Sequence, residues 1–129
     1  MNAVREEALK LIEKELADAN TKFPPFSSPH EGYAVLKEEF EECFDELVNA
    51  KGHLECVWQD IKKNTTPSLP IALLRKDAIA LVVEAVQLAA MCDKFDNSMG
   101  LAKEITTVLE KERERIANGR TRIGETRNT

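Results

Sequence analysis

Soft and nitrogen metal ligands are scarce in this chain. It has three cysteines, Cys43, Cys56 and Cys92, and two histidines, His30 and His53. No C-x-x-C or H-x-x-x-H pair occurs, and no Cys–His spacing suggests zinc. The odd thiol count argues against a disulfide framework. Set among apolar neighbours, the three predict buried free thiols in a reducing, cytoplasmic setting. The five glycines, Gly32, Gly52, Gly100, Gly119 and Gly124, are scattered and form no phosphate-cradling loop. Trp58 and the phenylalanines are of types more often found in a core than as base-stacking platforms, and are expected in the core.

Positive charge is also lacking. Eighteen Lys and Arg face 23 Asp and Glu, giving a net charge of −5, and the basic residues are interspersed with Glu. That leaves no phosphate-neutralising face and argues against a nucleic-acid partner. No apolar run reaches the roughly 20 residues of a membrane span. The most apolar stretch, Ile71 to Met91, is broken by Arg75, Lys76, Asp77, Glu84 and Gln87. The opening segment, Met1 to Leu16, is charged throughout and does not read as a secretory signal. Strand-like alternation and internal repeats are absent.

What the chain does have is helical periodicity. Val4, Ala8, Leu11, Ile12 and Leu16 predict a first helix over about Ala3 to Asn20. Pro24 and Pro25 forbid its continuation, and Phe23 and Phe26 are placed to pin the loop. Ser28-Pro29-His30-Glu31 then reads as an N-cap, a proline at the first helical position and a capping-box glutamate. This second helix runs to about Lys63. Its stripe is Leu36, Phe40, Cys43, Leu47, Ala50, Leu54, Val57 and Ile61, with Gly52 as a place for a kink. A third helix, about Ile71 to Phe95, is apolar on nearly every face. It is therefore expected to be buried on every side, which in so small a chain needs a second subunit. A fourth, about Met99 to Asn118, is amphipathic and highly charged. Residues 119–129 have no apolar face and are expected to form a disordered tail. The fold class is all-α, a bundle of about four helices in one domain, residues 1–118, assembled as an oligomer.

The chemistry rests on acids. Asp77, Glu84 and Gln87 fall within about 80° of one another around the third helix, a polar line on an apolar cylinder. On the second helix Glu39, Glu42 and Glu46 border the apolar stripe at steps of three and four, while Glu38, Glu41 and Asp45 point to solvent. The run of acids also reads as a solvated helix face, and Glu84 as half of a buried salt bridge. The sharper reading is convergence of the two helices around a divalent cation. Such a cation relieves repulsion between carboxylates, and oxygen donors suit Mg²⁺.

Two segments carry a family likeness. One is Phe23-Pro24-Pro25-Phe26-Ser27-Ser28-Pro29-His30-Glu31-Gly32-Tyr33-Ala34-Val35-Leu36-Lys37-Glu38-Glu39, followed by Glu42. The other is Glu84-Ala85-Val86-Gln87-Leu88-Ala89-Ala90-Met91. Over about Leu16 to Phe95 the chain resembles the MazG-like proteins of phages and bacteria, within the all-α nucleoside triphosphate pyrophosphohydrolases. The resemblance implies Mg²⁺, or Mn²⁺ in its place, held by an E-x-x-E and a downstream E-x-x-D motif. It further implies hydrolysis of (d)NTP to (d)NMP and pyrophosphate, and a homodimer or homotetramer. Glu39 and Glu42 match the first motif, and Glu84 the first position of the second. Gln87 stands where the family has Asp, removing one negative charge, and the gap between the motifs is longer than usual. Asp77 or Glu46 would compensate. Glu38 or Glu46 is the candidate to orient water, and Lys94, Arg75 and Lys76 are candidates to contact phosphate. His30 is a capping-segment residue or lines the substrate mouth. The competing reading is a non-catalytic helical oligomer, or a nucleotide-binding accessory protein, with a degenerate metal site.

Overall fold

A computed structural model describes the backbone of residues 2–100 and 102–127, and the side chains of residues 3–100 and 107–119. Among the described residues there is no strand. A 3₁₀ turn at Asn2–Val4 leads into four helices: α1 (Arg5–Lys22), α2 (Pro29–Lys62), α3 (Ser68–Met99) and α4 (Ala102–Arg127).

Local chemistry sets the ends of the helices. α1 stops at Phe23, which is extended as a residue before proline must be, and whose N–H still bonds the Ala19 carbonyl at 2.9 Å. Ser28 caps α2, its hydroxyl accepting from the Glu31 N–H at 3.2 Å, with Pro29 in the first turn. The Glu31 carboxylate reaches back to Ser27, one residue before the cap, and accepts from both its N–H and its hydroxyl. α2 runs through Gly52 without interruption. α3 begins at Ser68, earlier than the expected Ile71, because Pro70 falls in the first turn, where a missing N–H costs nothing. It also runs past Asp96 to Met99 and ends at Gly100, whose φ of +69° suits glycine. The backbone of α4 is helical to Arg127, beyond the Asn118 end expected from sequence.

α2 and α3 form an antiparallel pair, and α1 packs on α3. The start of α2 meets the end of α3 through Gly32. A Cβ there would lie 2.3 Å from Phe95 Cδ2, so only glycine admits the ring. Phe26 is buried against Phe95, ring centroids 6.4 Å apart, and its N–H donates to the Ser98 hydroxyl at 3.0 Å. Farther along the pair, His53 of α2 contacts the carboxylate of Asp77 on α3.

α3 is not covered on every side within one chain. Ile79, Val82 and Val83 are about half exposed, as are Phe40, Phe44, Leu47, Val48 and Leu54 of α2. For the same reason Cys56 and Cys92 are exposed rather than buried, and Cys43 is half-buried; all three are free thiols. Trp58 also lies on the surface, with the Lys62 ammonium 5.8 Å from its ring centroid.

Candidate metal and ligand site

The spacing Glu39-x-x-Glu42 puts both carboxylates on one face of α2, and the antiparallel packing brings Glu84 of α3 to the same place. One carboxylate oxygen from each of the three lies within 4.8 Å of the others. Glu39 Oε2 and Glu84 Oε2 are buried and have no hydrogen-bond partner. The ion pairs among the described residues include none to Glu39, Glu42 or Glu84. The salt-bridge explanation of Glu84 therefore has no partner there.

The electrostatics follow from this crowding. The Glu39 carboxyl is pushed up to about 7, first by burial and then by the charges of Glu42, Glu84 and Glu38. Glu84 is raised as well, first by burial, then by the adjoining Glu42 carboxyl and by the charge of Glu46. Beside them the Cys43 thiol is raised, mainly by burial with the three glutamates adding to it, so it offers no thiolate. What remains is a set of hard oxygen donors.

The other candidates are placed unequally. Glu38 and Gln87 line a cavity of about 410 Å³ that begins at Glu39. Glu46 lies one turn beyond Glu42, close enough to act on Glu84. Asp77 is not part of the acidic group. It is buried at 8% exposure and taken up by His53, two turns before Glu84. As a compensating ligand it is therefore corrected to a helix-pairing residue. Arg75 and Lys76 are exposed, more than two turns from Glu84 toward the start of α3, and do not line the cavity. His30 is exposed at the second position of α2 and is not in the cavity lining either.

Lys94 does line it. It is only 4% exposed, and its ammonium sits 5.1 Å from the Phe26 ring centroid and 5.8 Å from that of Phe23. Sequence reasoning did not reach the walls of this cavity, Phe23, Val35 and Met91. The signal was present in the steps Glu84, Gln87, Met91, Lys94, a single stripe along α3.

No family model, curated protein or solved structure matches the chain. The fold and the acidic group define an all-α chain with a candidate site for a hard cation.

Proposed function

We propose that the chain is a Mg²⁺-dependent nucleoside triphosphate pyrophosphohydrolase that acts as an oligomer. The observation that carries this reading is the meeting of Glu39, Glu42 and Glu84 from two helices: Glu39 and Glu84 each bury an unpartnered oxygen, Glu42 is exposed beside them, and none of the three has an ion pair among the described residues. Such a group is costly without a cation. The donor set fits a hard divalent ion, and the adjoining cavity is within the size range of small-molecule sites.

Glu39, Glu42 and Glu84 would hold the ion, with Gln87 able to add a neutral amide oxygen from the cavity wall. When bound, the ion supplies charge neutralisation on the phosphates and a more acidic water. Glu38 stands at the cavity, outside the three converging carboxylates, where it can accept the proton of the attacking water. The water oxygen bonds to phosphorus, the bridge between the α and β phosphates breaks, and pyrophosphate leaves with the bridging electron pair. Neutral Gln87, where the resembled family has Asp, favours a second reading, a scaffold with a degenerate site.

Metal-dependent melting separates the two. Mg²⁺ or Mn²⁺ at about 100 times its Kd is expected to stabilise the chain by about 2.7 kcal/mol, and Glu84→Gln is expected to abolish that gain. A melt insensitive to both ions would favour the scaffold.

A further inference from the structure

The far end of the cavity holds a buried cation that the proposed chemistry does not use. Lys94 has no hydrogen bond or ion pair among the described residues; its contacts there are the faces of Phe23 and Phe26. An ammonium has three donors, and this one, on a side chain only 4% exposed, has no acceptor for them among the described residues. Its place in the fold says which part of a ligand can supply that acceptor. Along α3, Lys94 stands ten residues beyond Glu84, about 15 Å at 1.5 Å per residue. Its ammonium is held at the loop end by the two rings, near Glu31, not at the acidic group. The Glu31 carboxyl, lowered chiefly by its hydrogen bonds from Ser27, also feels the Lys94 charge, whereas Lys94 is not among the charges acting on Glu39. Phosphates held at the Glu39 end would therefore leave Lys94 to meet the opposite end of a nucleotide.

The walls between these ends suit a base. Val35 and Met91 are apolar, and Phe23, 64% exposed, has a ring surface free for stacking. We infer that this end of the cavity is a base pocket in which Lys94 donates to a ring carbonyl oxygen. Nucleotides of uracil, thymine, cytosine or guanine are then favoured over those of adenine, which has no carbonyl. The inference rests on the nucleotide reading of the site, and it replaces the phosphate role expected of Lys94 from sequence.

The test uses nucleosides in EDTA, so that it depends neither on the cation, nor on a phosphate beside the acidic group, nor on turnover. Calorimetric titration with deoxyuridine and with deoxyadenosine is expected to give tighter binding of deoxyuridine by about tenfold or more, the size of a hydrogen bond to a charged group. Lys94→Met, similar in length and apolar, is expected to remove that preference. Equal binding of the two nucleosides, no binding of either, or a preference that survives Lys94→Met would overturn the inference. Should Lys94→Met fail to fold, deoxyuridine against deoxyadenosine on the wild-type chain still decides. The hydrolase reading fails separately, through absence of metal-dependent melting and of pyrophosphate release. A deoxyuridine preference without hydrolysis would keep the pocket and remove the enzyme.

Discussion

Glu39 carries a pH dependence whose sign is fixed by its surroundings. Unfolded, a glutamate releases its proton near 4.5; in the folded chain Glu39 keeps it up to about 7. Between those values the folded state binds more protons, so this group makes stability fall as pH rises through the window, with no further change below or above it. Mg²⁺ needs the deprotonated carboxylates, so its affinity is expected to rise through about pH 7, with release of protons. Urea melts of the metal-free chain at about pH 5 and about pH 8, compared with Glu39→Gln, measure the effect. The wild type is expected to lose more stability than the variant between the two. An equal or smaller loss in the wild type would contradict the crowding of the three carboxylates. How much could be read at this scale depended on range. Glu39 and Glu42 were legible because their spacing lies within one helical turn. Asp77 was not, because its partner His53 is 24 residues away on another helix. The burial of Lys94 was equally hidden, since it depends on where Phe23 and Phe26 bring the loop.

Among the helices, the start of α2 was legible in detail because the cap is local: Ser28, Pro29 and Glu31 act within four residues. The ends of α3 were less so. Pro70 reads as a breaker yet sits in a first turn, and Ser98 reads as a stop yet lies inside the helix, where it accepts from Phe26. The expectation that α3 is covered on every side requires a neighbour. On α2 and α3, Phe44, Leu47, Val48, Leu54 and Leu74 surround an apolar hollow of about 460 Å³. A second copy covering this face would bury what one chain leaves in water. Light scattering at micromolar concentration is expected to give at least twice the 14.5 kDa of one chain, and Leu47→Glu to shift it toward one. A stable wild-type monomer would contradict the oligomer.

For the whole molecule, the buried apolar residues among those described are Phe26, Val57 and Ala90, a small core for so long a set of helices. The fold is thus an antiparallel pair with α1 laid on it, arranged so that acids from α2 and α3 meet beside a cavity that Lys94 also lines. All-α architecture was legible from periodicity, since the periods of apolar residues dictate helices directly. The cavity was not, because it exists only once α1, the Pro24-Pro25 loop and the helix pair are brought together. The most direct measurement of the central claim is product analysis after incubating the purified chain with ribo- and deoxyribonucleoside triphosphates and Mg²⁺. Pyrophosphate and the matching monophosphate are expected in equal amounts, and neither from Glu84→Gln. Release of no pyrophosphate from any of the nucleotides, or equal release by Glu84→Gln, would contradict it.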